Sequence, residues 1–219
     1  MESAGQLFVL SGPSGVGKST LRQLAKLRFP DLEYSISYTT RSPRPRERAG
    51  VDYHFVSFEA FRSMVKEGDF LEWAKVHNHY YGTSRSQVLE HVKRRKDVLL
   101  EIDVQGARKV KTYHPHACFI FVLPPDRKAL KHRLQLRDTE GKKDLRIRLE
   151  QASREMLEAS WYDYLIVNDR VEEAGEVLAA IILARRHRTE SILPQVYHLI
   201  ESLRPETVHL TRQQGQQPH

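Results

Sequence analysis

Eight residues constrain this chain more than any other stretch: Gly12-Pro13-Ser14-Gly15-Val16-Gly17-Lys18-Ser19. They fit the pattern G-x-x-x-x-G-K-[ST], with Thr20 directly after. The glycines let successive backbone N–H groups curl around an anion with no Cβ in the way. Lys18 brings a mobile cation to the outer phosphates of a nucleotide, and the Ser19 hydroxyl suits a magnesium ion. Context decides whether such a loop is real. "QLFVL" (6–10) reads as a buried strand, and residues 18–28 carry Leu21, Leu24 and Ala25 at helical spacing. The loop therefore joins a strand to a helix, whose N-terminal dipole adds to the anion site.

The remaining apolar runs extend this reading. "VLLEID" (98–103), "CFIFVL" (118–123) and "YLIVN" (164–168) look like buried strands, and "EYSIS" (33–37) is a weaker one. Helical stretches fall near 104–112, 126–137, 145–160 and 171–188. Strands alternating with helices predict an α/β fold, a parallel sheet with helices on both faces. Residues 38–83 break the rhythm: they are polar, aromatic and proline-punctuated, with one short helix near 58–67. They read as a small mixed insert on the core, where ligand specificity is usually carried. The expected division is a core of 1–36 and 84–188, an insert of 37–83, and an extension of 189–219. In the extension, Ile192, Val196, Leu199 and Leu203 form one stripe, and "TRQQGQQPH" is expected to be disordered.

Composition narrows the class. No apolar run approaches the roughly 20 residues of a membrane span. "LFVL" is too short for a secretory leader. The single cysteine, Cys118, has no partner within the chain. Together these predict a reducing, cytoplasmic setting and no membrane partner. The net charge of +7 suits either nucleic acid or phosphorylated small molecules. Lys93-Arg94-Arg95-Lys96 ends a predicted helix, where cations complement the dipole. No specific nucleic-acid partner is expected. His77-Asn78-His79 and His114-Pro115-His116 lack a third spaced ligand and read as turn or surface histidines.

The phosphate loop leaves an ATPase, a GTPase or a small-molecule kinase. A GTPase would show a guanine-reading NKxD segment, absent here, and a motor ATPase is usually larger. A nucleotide-type kinase is the economical reading, and the insert supports it. The chain then resembles the guanylate kinases closely. "SGPSGVGKST", "SYTTRSPRP", "GVDYHFV", "FLEWAKV", "YYGTS", "EIDVQGA", "FVLPP" and "YLIVND" appear in that family's order, over roughly residues 6–188. The resemblance implies a P-loop core, a GMP-binding insert and a mobile lid near 137–147. It implies transfer of the ATP γ-phosphate to GMP, and to dGMP, with Mg²⁺ as cofactor.

The resemblance also implies roles. Arg41, Arg44, Tyr53 and Tyr81 hold the acceptor phosphate. By themselves they read equally as solvated loop arginines and core tyrosines. Glu72 and Ser37 read the guanine, with Thr83 and Asp103 beside them. A carboxylate accepts from N1–H and N2–H₂ of guanine, whereas adenine would face it with an unprotonated N1. Arg133, Arg137 and Arg148 are the lid arginines, expected to neutralise charge that spreads over the transferred group. Arg133 and Arg137 lie four apart on one helix face. Asn168-Asp169 borders the adenine. Residues 12–20 hold the ATP phosphates, Ser19 the metal; Lys18, Arg44, Arg137 and Arg148 are the expected catalytic set. No general base is expected, because a phosphomonoester oxygen is already largely ionised at neutral pH.

Three places depart from the family pattern. Glu101 stands for a shorter acid. "QLRDTEGKKD" replaces a glycine-richer lid, predicting a stiffer and more basic one. "PRPRERAG" alters the turn after Arg44. Three other readings compete: a catalytically inactive module binding phosphorylated peptides through the same pocket, a kinase of another small acceptor, and nucleic-acid binding by the basic surface. Oligomeric state is open.

Overall fold

The computed structural model describes residues 5–44, 47–76, 78–137 and 142–203, with backbone alone at 137 and 142–144. The main sheet is parallel throughout, in the order β2-β7-β1-β8-β9. Its strands are β1 (Leu7–Ser11), β2 (Glu33–Tyr34), β7 (Val98–Glu101), β8 (Cys118–Leu123) and β9 (Tyr164–Val167). The central strands are apolar on both faces because helices cover both. Phe8, Leu10, Ile120 and Val122 point into one core with Leu21 and Ala25 of α1 (Lys18–Arg28) and Leu178 and Ile182 of α7 (Val171–Arg186). Val9, Leu100, Phe119 and Phe121 point into the other, against Val104 and Val110 of α4 (Val104–Tyr113). A one-residue alternation thus separates two cores.

A second, four-stranded sheet runs β4-β3-β6-β5. It contains β3 (Tyr38–Thr39), β4 (His54–Phe55), β5 (Phe70–Val76) and β6 (His79–Ser84). The β5–β6 hairpin is antiparallel, with a register break between Phe70 and Glu72. Helix α2 (Phe58–Glu67) packs beside it, capped by Ser57, whose side chain accepts from Ala60 N, and closed by Gly68 at φ 74°. Phe61 of α2 stacks on Phe70 at 4.6 Å.

The chain returns to the main sheet through α3 (Arg85–Lys93). Beyond β8 come α5 (Arg127–Arg137) and α6 (Lys142–Met156), then a 3₁₀ turn over Leu157–Trp161. Four sequence expectations shift. Strand β9, expected to be buried, is the sheet edge and exposes Tyr164, Leu165 and Val167. The weak strand expected over 33–37 keeps only two paired residues, because past Tyr34 the chain leaves β7 for the second sheet: the Ser37 carbonyl accepts from His54 N at 2.9 Å. The helix expected from 145 begins at Lys142, and its last turn tightens to 3₁₀ before Tyr162 enters the core. The extension forms one helix, α8 (Thr189–Ser202), on α7; Ile192 and Val196 are half-buried while Leu199 and Leu203 are exposed. The "TRQQGQQPH" end lies outside the described residues.

Candidate active site

The phosphate loop leaves the carboxyl end of β1, the middle strand, and feeds α1, whose first turn carries no acidic residue to oppose an anion. Lys18 folds back over the loop, donating from Nζ to the carbonyls of Gly12 at 2.6 Å and Pro13 at 3.0 Å. Gly17 sits at φ +95°, and the space beside its Cα is filled by Asn168. Asn168 is buried at the end of β9 and donates from Nδ2 to Val16 O at 2.7 Å. It thus pins the loop to the far side of the sheet. Arg133 of α5 donates to the carbonyls of Asn168 at 2.9 Å and Asp169 at 3.3 Å. Arg148 of α6 donates to Ser14 Oγ at 3.3 Å. Residues far apart in sequence are thereby gathered around residues 12–19. Thr20 lies in the first turn of α1 and is exposed. The Arg137 side chain, residues 138–141 of the expected lid and His77 lie outside the described residues.

Ser19 donates to Glu101 Oε1 at 2.6 Å. The longer acid therefore still reaches the loop. Its other oxygen lies 3.4 Å from Arg22 Nε, and the Arg22 guanidinium stacks 4.0 Å above the Tyr34 ring. A hydroxyl and a carboxylate side by side are the hard oxygen donors that Mg²⁺ takes.

The second sheet carries the other half. Arg41 lies just past β3 and Tyr81 on β6, its neighbour in the sheet. Arg41 donates from Nε to Tyr81 Oη at 3.2 Å, and its guanidinium carbon lies 5.5 Å from the Tyr53 ring centre. Tyr53 and Tyr81 rings meet edge-on at 5.9 Å. Burial pushes the Tyr53 hydroxyl pKa up, so it stays a donor at neutral pH. Arg44 is exposed, while its backbone N–H donates to Glu47 at 2.8 Å. Ser37 is buried nearby in the chain.

Glu72 is buried with 5% exposure, beside the β5 register break. Thr83, directly opposite on β6, donates to it at 2.5 Å. Burial raises its pKa to about 7; Asp103 adds to the rise, and the Thr83 bond opposes it. Gly106 explains how a helix approaches this carboxylate: a Cβ there would collide with Glu72 Oε2, and would lie 3.2 Å from Asp103 Oδ1. Asp103 caps α4, accepting from Gly106 N at 2.9 Å. Burial raises its pKa too, against the pull of Gly106 N–H and of the Lys18 charge. Asp103 thus feels both the Glu72 carboxylate and the Lys18 charge at the start of α1.

Of the residues singled out from the sequence, the phosphate-loop residues, Arg133, Arg148, Asn168 and Asp169 form one cluster. Arg41, Tyr53 and Tyr81 form a second, and Glu72, Thr83 and Asp103 a third. Gly106, Glu47 and Lys109 were not singled out. Gly106 lies within the quoted "EIDVQGA", and Glu47 follows Arg44 at a three-residue spacing, so each had a sequence signal. Lys109, stacked 4.5 Å from the Trp73 ring centre, had none.

The guanylate kinase family profile matches residues 4–185. The guanylate kinase of Geobacter metallireducens is 43% identical over 196 residues, 90% of this chain and 97% of that one. That of Syntrophotalea carbinolica is 46% identical over 202 residues, covering 92% and 96%. The crystal structure of guanylate kinase from Anaplasma phagocytophilum superposes with a TM-score of 0.72 at 30% identity, covering 89% of this chain and 97% of that one. With the family profile matching residues 4–185 and relatives above 40% identity across nine-tenths of the chain, the chain belongs to the guanylate kinase family.

Proposed function

We infer that this chain transfers the γ-phosphoryl group of ATP to GMP, giving ADP and GDP, and that the three clusters divide the work. The observation that carries this is the buried Glu72 of β5, whose carboxylate accepts from Thr83 and is approached by Gly106 at the start of α4. Glu72 accepts from guanine N1–H and N2–H₂ while Thr83 and Ser37 complete its polar walls. Arg41, Arg44, Tyr53 and Tyr81 donate to the acceptor phosphate. The loop amides of residues 12–20 and Lys18 cradle the ATP phosphates, and the strand end at Asn168-Asp169 borders the adenine.

The reaction needs little chemistry from the protein. An acceptor phosphate oxygen, already ionised, forms the new P–O bond; the β,γ-bridging P–O bond breaks and ADP leaves. Positioning and charge neutralisation do the rest. Lys18 exchanges its loop carbonyls for phosphate oxygens. Arg148, already against Ser14, meets the same phosphates, and Arg137 is assigned there by its place in the chain. Arg133 acts through the Asn168-Asp169 backbone it holds. Ser19 and Glu101 would hold Mg²⁺, which supplies charge neutralisation on the phosphates.

The reading keeps the division into a core of 1–36 and 84–188, an insert of 37–83 and a lid near 137–147. No described helix is long and apolar enough to cross a membrane. Cys118 is buried, with its thiol pushed up to about 12, so it is inert as a nucleophile. A cytoplasmic setting suits it. The inactive-module reading is not favoured, since relatives matching nine-tenths of the chain are named as kinases.

The test is ADP release from Mg-ATP with GMP, run beside AMP, CMP and UMP, with Lys18→Ala as control. Turnover on GMP alone, lost in the control, is expected. Absence of turnover on all four while GMP still binds would overturn the kinase reading.

A further inference from the structure

Beside the second sheet, one well-bonded carboxylate is left unused by the proposed chemistry. Glu47 accepts from both ends of the Arg41 fork, Nη1 at 3.0 Å and Nη2 at 2.9 Å. The same carboxylate accepts the Arg44 backbone N–H at 2.8 Å. Both side chains are largely enclosed, at 12% and 19% exposure. This is a bidentate pair, the geometry that most restricts a guanidinium. Burial works against the Arg41 charge, yet the Glu47 and Tyr81 hydrogen bonds outweigh it and raise the Arg41 pKa. Burial also works against the Glu47 charge, but the Arg41 hydrogen bonds and the Arg44 backbone N–H outweigh it and hold the Glu47 pKa below its usual value.

A proton inventory says what the clamp leaves exposed. A guanidinium has five N–H groups. Arg41 gives Nε–H to Tyr81, one Nη1–H to Ser42 O at 2.7 Å, and one from each terminal nitrogen to Glu47. One Nη2–H remains, on the edge shared with Nε. Tyr81, having accepted from Nε, keeps its own O–H to donate. Arg41 rests on Tyr53 and Phe55, 5.5 and 5.9 Å from their ring centres. With one edge tied to Glu47 and one face on the rings, Arg41 has a single orientation left. It then presents an N–H and the Tyr81 O–H side by side.

We propose that Glu47 is a positioning residue for the acceptor phosphate. Its carboxylate grips the Arg41 fork and the Arg44 backbone, so that Arg41 and Tyr81 present paired donors to the phosphate of GMP. This rests on the GMP reading above. Charge alone argues the opposite sign: Glu47 cancels one positive charge, so removing it would strengthen phosphate binding. Geometry and charge therefore predict opposite outcomes, which makes the proposal decidable.

Calorimetric titration of GMP into the full chain, Glu47→Gln, Glu47→Asp, Arg41→Lys and the Glu47→Gln/Arg41→Lys double variant provides the test. Glu47→Gln is expected to weaken GMP about tenfold or more. ADP affinity, melting temperature and kcat at saturating GMP should stay within about twofold or a few degrees. Glu47→Asp keeps the charge and shortens the reach, so a loss there isolates geometry and serves also if the glutamine variant misfolds. In the double variant the Glu47 change should cost little further, because the fork it grips is gone. GMP binding unchanged or tightened in Glu47→Gln and Glu47→Asp, or a loss that adds in full to Arg41→Lys, would overturn the proposal. Solvent exchange of the Arg41 Nε–H by NMR reads the clamp without nucleotide. It should be slow in the unsubstituted chain and fast in Glu47→Gln; equal rates would sink the clamp even if GMP turnover stands, and a chain that turns over no GMP would sink the kinase reading even if exchange differs.

Discussion

Gly106 and Glu72 make one contact that a single methyl group would break. A Gly106→Ala side chain would occupy the space of the Glu72 carboxylate. KM for GMP is expected to rise at least tenfold while KM for ATP holds, as steady-state kinetics would show. Glu72 itself sets a pH dependence. With its pKa raised to about 7, the ionised form proposed to accept from guanine is lost as pH falls through 7. A pH profile of kcat/KM for GMP should decline below 7, and Glu72→Gln should abolish that limb while lowering the plateau about 10²-fold or more. Stability runs the other way. The folded carboxyl binds its proton more tightly than the unfolded one, so the burial penalty is relieved as pH falls from about 7 towards 4.5. Glu72→Gln should therefore melt higher than the unsubstituted chain at pH 8 and show little gain at pH 5.

At the scale of elements, one side chain couples β9 to the phosphate loop. The Asn168 bond to Val16 O is buried at 2.7 Å, and its loss leaves that carbonyl unsatisfied. Asn168→Ala should cost about 1–3 kcal/mol in denaturant unfolding and raise KM for ATP. A neutral effect on both would show that the loop holds its shape without β9. The same strand end is tied to α5 through Arg133. Helix α1 was readable from its spacing to both boundaries, as was α2. Strand β2 was not: "EYSIS" carries the right residues, but pairing with β7 stops where the chain turns to the second sheet. Strand length there depends on partners, which a local pattern does not contain.

For the whole molecule, the two cores on either face of the main sheet carry the stability. Leu178 is fully buried among β1, β8 and α1 residues, and Leu178→Ala should destabilise by about 2–5 kcal/mol. Helix α8 is different. It buries no residue completely and meets the rest through α7 and through Gln6, which donates to Ser191 at 3.2 Å. Removing residues 189–219 should lower the melting temperature by only a few degrees and leave GMP turnover within about twofold. A larger loss of turnover would give the extension a part in the reaction.

The phosphate loop, the parallel sheet and the order of strands and helices follow from local signals: glycine spacing, apolar runs and a helical repeat. Short-range sterics and burial set these, and they are written along the chain. The meeting of Glu72 with Gly106, of Asn168 with Val16 and of Glu47 with the Arg41 fork is not written there. Taken singly, Glu72 reads as an outward strand residue, Gly106 as a weak helix position and Glu47 as a solvated loop acid. The register of β5 on β6 and the approach of α4 enclose Glu72 beside Gly106, and the turn after β3 lays Glu47 on the Arg41 fork, because burial and hydrogen bonding depend on neighbours that the fold, not the sequence, brings together.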